Sequence, residues 1–160
     1  DRRGCGLTVE LSVKENATIP ELKSVSSAWM VNSARQAKRA NQIVDRMKVK
    51  TAALDTTIST LSGGNQQKVV LGRWLELGPK VLIVDEPTRG IDVGSKAEIY
   101  DQLRAIADSG TAILMISSDM EEIINISDRV MVMHEGMITG TVTGEEIREE
   151  VIMKLATGGA

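Results

Sequence analysis

Phenylalanine is absent from this chain, and its aromatic residues are Trp29, Trp74 and Tyr100. So few rings cannot build a base-stacking platform for single-stranded nucleic acid. Cys5 is the only cysteine and His134 the only histidine. A lone cysteine excludes a disulfide framework and a cysteine-based zinc site, which fits a reducing compartment. A lone histidine excludes a paired-histidine metal site. No apolar run approaches membrane-spanning length and no signal peptide is visible, so any membrane contact would need a partner. A formal net charge of −3 supplies no basic field for nucleic acid. Nowhere is there a G-x-x-x-x-G-K-[ST] run, the loop that cradles nucleotide phosphates.

What is present suffices for one ordinary domain: 160 residues, 42% of them hydrophobic. Two zones differ in pattern. Residues 6–76 are helical in periodicity, whereas 81–143 alternate short apolar runs with helical stretches. Ser12-Val13-Lys14-Glu15 has capping-box spacing and predicts a helix start, and Pro20 marks a break or a new first turn. Residues 33–47 form an amphipathic helix. Ser62 caps another that runs to about residue 77 and stops at Gly78-Pro79.

The run 81–84 predicts a strand buried on both faces of a parallel sheet, and 112–116 a second one. Helices are expected over 95–108, 121–126 and 145–156, with Gly110 ending the first. Glu135-Gly136 reads as a hairpin turn between strands 130–133 and 137–142. The β–α–β alternation gives an open parallel sheet with helices packed on it.

Two stretches carry chemistry. The first strand ends in Asp85-Glu86-Pro87, placing two carboxylates at the sheet edge where open α/β folds bind ligands. Asp85 can hold Mg²⁺ through water beside phosphates. Glu86 can polarise an attacking water. Upstream, Leu61-Ser62-Gly63-Gly64-Asn65-Gln66-Gln67 opens a helix. Its glycines allow close approach to an anion, its helix N-terminus offers free N–H groups, and its serine adds a hydroxyl.

These two stretches, in this order, resemble the signature and Walker B motifs of ABC-type ATPases. Val13-Lys14-Glu15-Asn16, Arg89-Gly90-Ile91-Asp92, Ser127-Asp128-Arg129-Val130 and His134-Glu135-Gly136 also fall in ABC order. Pro87-Thr88-Arg89-Gly90-Ile91-Asp92-Val93-Gly94 is most similar to the second half of the tandem ATPase subunits of bacterial monosaccharide importers, of the ribose, galactose and xylose type. The resemblance implies an α/β fold: a partial P-loop NTPase core without its phosphate-loop portion. Residues 1–77 would be the helical subdomain with the signature, and 78–160 the C-terminal part of the core.

It also implies roles. Ser62 and Gly64, with Gly63 and Gln66 beside them, would meet the γ-phosphate of ATP held by the opposite half. Asp85 would serve Mg²⁺, Glu86 would be the catalytic carboxylate, and Asp92 the acid of the D-loop at the dimer interface. At the position where ABC ATPases carry a histidine that reaches the γ-phosphate, this chain has Ser118, whose hydroxyl is too short for the same reach. The implied partners are the first ATPase half of the same polypeptide, an integral-membrane sugar permease and, indirectly, a sugar-binding protein. Nucleic acid is not among them. The implied place is the cytoplasmic face of the bacterial cell membrane. Without a phosphate loop the chain by itself is expected to be inactive. Two other readings stand beside this one: an ABC ATPase acting on DNA or ribosomes, and a non-catalytic module that kept the fold.

Other residues read as structural. His134 sits before a hairpin glycine. Met115, Met131, Met133 and Met137 lie on strands and are expected to fill the core. Lys38-Arg39 and Arg46 to Lys48 read as a solvated helical face, or as the border of a surface for the membrane partner.

Overall fold

A computed structural model describes residues 6–27 and 30–159. Cys5 and Trp29 lie outside the described residues. The chain packs as two compact units, Asp1–Ile83 with Pro87–Leu114, and Val84–Glu86 with Met115–Ala160.

The first unit is mainly helical. Helix α1 spans Val13–Thr18, and both bonds of its capping box form: the Ser12 hydroxyl accepts from the Glu15 N–H, and the Glu15 carboxylate accepts from the Ser12 N–H. A 3₁₀ turn, Ile19–Glu21, follows with Pro20 in its first turn, where the missing N–H costs nothing. Then come α2 (Leu22–Val25) and a short antiparallel ribbon, β1 (Ser26–Ser27) with β2 (Met30–Val31), which periodicity did not announce. Helix α3 spans Ser33–Arg46 under an Asn32 cap. Helix α4 spans Gly63–Leu75 and α5 spans Val93–Asp108. Gly78 and Gly110 both take positive φ, as helix-ending glycines do.

Val13, Ala40, Ile43, Met47, Val69 and Leu71 form the core where α1, α3 and α4 meet. Gly72 sets how closely α3 and α4 approach. A Cβ there would lie 2.7 Å from Ile43 Cγ2 and 2.7 Å from Met47 Cγ. Arg39 is more than a solvated charge: its Nε lies 2.8 Å from Glu21 and its Nη1 3.0 Å from Glu76, tying α3 to the 3₁₀ turn and to the end of α4.

Strands β3 (Val81–Asp85) and β4 (Ala112–Ile116) pair with each other. Ala112 N–H donates to Lys80 O at one end and Glu86 N–H to Ile116 O at the other, so the strands run parallel. The expectation of burial on both faces is corrected. Leu82 and Val84 are buried, but Val81, Ile83, Leu114 and Ile116 are exposed. Successive side chains alternate across a strand, and among the described residues no layer lies on the second face.

In the second unit, helix α6 (Met120–Ile126) leads to a hairpin of β5 (Arg129–His134) and β6 (Met137–Thr143). Its turn residues Glu135 and Gly136 have φ of 47° and 81°, the sign that a two-residue I′ turn requires. The final helix breaks in two: a 3₁₀ turn, Gly144–Glu146, then α7 (Glu149–Ala156). Val130, Val132 and Val142 face Ile152 of α7 and form the core of this unit. The methionines do not fill it. Met131, Met133 and Met137 are exposed and Met115 is half-buried. Alternation along β5 gives the inner face to Val130 and Val132, so Met131 and Met133 point outward.

Candidate functional site

The Gly-rich stretch opens α4 as the sequence predicts. Ser62 is the N-cap, its Oγ accepting from the Asn65 N–H at 3.4 Å and from Asn65 Nδ2 at 2.9 Å. With its lone pairs used in the cap, the exposed hydroxyl has its own proton to offer an acceptor outside. Packing alone also requires a glycine at position 64. It is buried, and a Cβ would lie 2.8 Å from Ser95 Cβ in the first turn of α5. Gln66 turns inward, 3% exposed, its amide donating to Ile58 O at 3.2 Å and Leu61 O at 2.9 Å. It therefore fastens the loop that enters the helix, and its side chain is not on the exposed end with Ser62. Asn65, which carried no expectation, joins Ser62 to the backbone N–H of Lys50 through its Oδ1 at 2.7 Å.

Asp92 caps α5. Its Oδ1 accepts from the Ser95 N–H at 3.0 Å, and the helix therefore begins at Val93, two residues before the expected start. Hydrogen bonding from Ser95, by hydroxyl and then by N–H, holds the Asp92 carboxyl below its ordinary value. Alongside, Lys68 of α4 is 3% exposed and places its ammonium 2.6 Å from Glu98 of α5, which also meets Lys50 at 3.1 Å. Lys68 first, then Lys50, lowers the Glu98 pKa.

The second unit holds the paired acids. Asp85 is exposed at the carboxyl end of β3. Glu86 takes φ of 48°, in the left-handed region that costs a non-glycine residue of order 1 kcal/mol or more. Its Oε1 accepts from Ser118 twice, from the backbone N–H at 2.9 Å and from Oγ at 2.8 Å. Ser117 and Glu122 were missed at this point. The Ser117 hydroxyl donates to Glu122 Oε2 and accepts from the Asp119 N–H at 3.0 Å. The Asp119-x-x-Glu122 spacing, a capping pattern, was the available signal. Among the described residues no group of three His, Cys, Asp or Glu could hold a metal unaided.

A serine-capped glycine helix, an acid pair at the end of β3 and an aspartate-capped helix thus follow one another in the chain order that the resemblance requires. A family model described as ABC transporter matches residues 5–89. The chain belongs to the ABC transporter family. It is 46% identical over 159 residues to the ribose import ATP-binding protein RbsA of Bacillus subtilis. It is 49% identical over 160 residues to a second ribose import ATP-binding protein, from Streptomyces avermitilis, and 48% over 159 to the xylose import ATP-binding protein XylG of Geobacillus kaustophilus. These alignments take in 99 to 100% of this chain but 32% of each relative, so the chain spans about a third of their length.

Among solved structures, a nucleotide-free ATP-binding cassette from an ABC transporter superposes with a TM-score of 0.77 at 26% identity, over 90% of this chain and 60% of that one. A dimeric post-hydrolysis cassette, MJ0796 with ADP and Pi, gives 0.68 at 22% identity over 86% and 58%, a likeness of fold. The fold is that of ABC ATPases: α/β, with a small parallel sheet and helices, covering part of the domain.

Proposed function

We propose that this chain acts as the C-terminal part of the second ATPase half of a bacterial sugar importer, coupling ATP binding and hydrolysis to movement of a membrane permease. The observation that carries this reading is the presence, in one chain 46% identical to a ribose import ATP-binding protein, of a Ser62-capped signature helix followed along the sequence by an Asp85-Glu86 strand end. Ribose or xylose is the cargo class that the relatives' names suggest. Residues 1–77 act as the helical subdomain and 78–160 as the core portion.

Ser62 donates its free proton to the γ-phosphate of ATP gripped by the first half of the same polypeptide, and Gly63 and Gly64 bring the helix end to it. Gln66 supports that end from beneath. Asp85, exposed at the end of β3, would hold a magnesium ion beside the phosphates. When bound, the ion neutralises charge on the transferring phosphoryl group. Glu86 orients the attacking water, and Asp92 faces the other half while capping α5. The chain lacks a phosphate loop of its own and does not hydrolyse ATP alone. No described helix is long and apolar enough to cross a membrane; the place of action is the cytoplasmic face of the bacterial membrane, against the permease and, through it, a sugar-binding protein.

The test compares two variants of the full-length subunit. Ser62→Arg puts bulk and charge where close approach to phosphate is needed and is expected to lower steady-state ATPase by about 10²-fold, the size of losing a transition-state donor. Glu86→Gln acts at a site with Ser118 in place of histidine and is expected to cost less, about tenfold. Unchanged turnover in Ser62→Arg overturns the signature reading, and a larger loss in Glu86→Gln reverses the ranking.

A further inference from the structure

Glu122 is 0% exposed, and its Oε1 has no hydrogen-bond partner. A buried carboxylate with an unsatisfied oxygen is costly, and it persists where something else depends on it. Glu122 has no part in holding phosphate, metal or water. Its surroundings give it another task. Glu122 Oε2 accepts from the Ser117 hydroxyl, whose oxygen accepts the Asp119 N–H, while Asp119 Oδ1 accepts the Glu122 N–H at 3.3 Å. These three bonds join Ser117, Asp119 and Glu122 in a ring that holds Ser118 between the first two, and Ser118 is the residue that donates twice to Glu86. Ile116, just before the ring, accepts the Glu86 N–H at 2.8 Å. The segment 116–118 therefore holds Glu86 by backbone and side chain, and Glu122 holds the segment.

We propose that Glu122 is a positioning residue for Glu86: through Ser117 it fixes the turn that presents both Ser118 donors to the Glu86 carboxylate. With Glu122 fully buried, the Ser117–Glu122 bond is shielded from water and suited to holding a short turn against the left-handed strain at Glu86. The proposal rests on reading Glu86 as the carboxylate that orients the attacking water. Ser117→Ala cuts the link without emptying the core, so it is the main probe; Glu122→Ala leaves a cavity and serves as the second.

In the full-length subunit, Ser117→Ala is expected to lower kcat about fivefold, the worth of one net hydrogen bond, with the KM for Mg-ATP moved less than about twofold. Ser117→Thr and Glu122→Gln, which keep a hydroxyl donor and an oxygen acceptor, are expected to restore kcat to within about twofold. In a Glu86→Gln background, Ser117→Ala is expected to cost less than about twofold more, because its effect runs through Glu86. A Ser117→Ala enzyme that loses thermal stability but keeps kcat, while Glu86→Gln lowers it, overturns the positioning role and leaves the reading of Glu86 intact. Losses that multiply in the double variant do the same. Unchanged turnover in Glu86→Gln itself overturns the catalytic reading and this proposal with it.

Discussion

Ser118 grips Glu86 with two donors on one oxygen: its backbone N–H at 2.9 Å and its hydroxyl at 2.8 Å both reach Oε1. In the family pattern this position carries a histidine whose reach extends to the γ-phosphate. Here the short side chain closes on the neighbouring carboxylate instead. The consequence is a divided labour, in which the hydroxyl adds to a contact that the backbone already makes.

Ser118→Ala in the full-length subunit removes the hydroxyl and leaves the N–H in place. The expected loss of ATP turnover is under about threefold, well short of the 10²–10⁴-fold worth of a positioned acid–base group. Steady-state rates decide it. Abolished turnover would make the hydroxyl a direct ligand of phosphate or water.

Gly72→Ala sets two effects against each other. Alanine is the better helix former by about 1 kcal/mol. Its methyl, however, would sit 2.7 Å from Ile43 Cγ2, a stiff β-branched side chain, and equally close to Met47 Cγ. Overpacking of that kind costs about 1–3 kcal/mol, so the substitution is expected to destabilise by a net of up to about 2 kcal/mol. Denaturant unfolding of the chain measures it, and a stabilised Gly72→Ala protein would mean that α3 slides away freely.

Local chemistry was legible in the sequence. The Ser12–Glu15 capping box, the Ser62 cap and the Glu135-Gly136 turn each depend on bonds within a few residues, and each formed as expected. What escaped depends on partners far along the chain or on which face is covered. Asn16 was visible as part of a motif, but not its hold on the 8–12 loop, where its Oδ1 accepts from the Thr8 N–H and its Nδ2 donates to three carbonyls. Composition could not show that Val81 and Ile83 face an uncovered side, because an apolar run reads the same whether one face or two are buried. In the candidate site, the place of Asp85 and Glu86 at the end of β3 was readable from the apolar run before them. Gln66 was not, since its amide spends itself on Ile58 and Leu61. Of the ring through Ser117 and Glu122 the sequence offered the Asp119-x-x-Glu122 capping spacing alone, because a serine beside a strand end carries no distinctive spacing until the turn is folded.

Acid should loosen the first unit through three carboxylates whose pKa values lie below their ordinary range: Glu98 beside Lys68 and Lys50, Asp92 bonded by Ser95, and Glu15 bonded by the Ser12 hydroxyl and N–H. Each folded value is lower than the unfolded one, so the unfolded chain binds more protons in the carboxylate range. Their stabilisation is complete above the unfolded pKa and is lost as pH falls through the folded one. Unfolding free energy is therefore expected to be level near neutrality and to decline from about pH 5 downward. Asp92→Asn keeps an oxygen for the cap and is expected to flatten part of that decline at little cost near neutrality. Glu98→Gln should differ. Lys68 is 3% exposed, and without the negative charge 2.6 Å away its ammonium keeps only neutral acceptors among the described residues, the new amide oxygen and the Lys48 carbonyl 3.3 Å off. A buried charge stripped of its counter-ion destabilises at every pH where it remains charged. Glu98→Gln is thus expected to lower stability at pH 7 more than Asp92→Asn does, and Lys68→Met in the same background to recover part of the loss. Urea midpoints for the three variants at pH 7 and pH 4 test this. Equal stability of Glu98→Gln and Asp92→Asn at pH 7 would show that Lys68 finds water or another acceptor when Glu98 is gone.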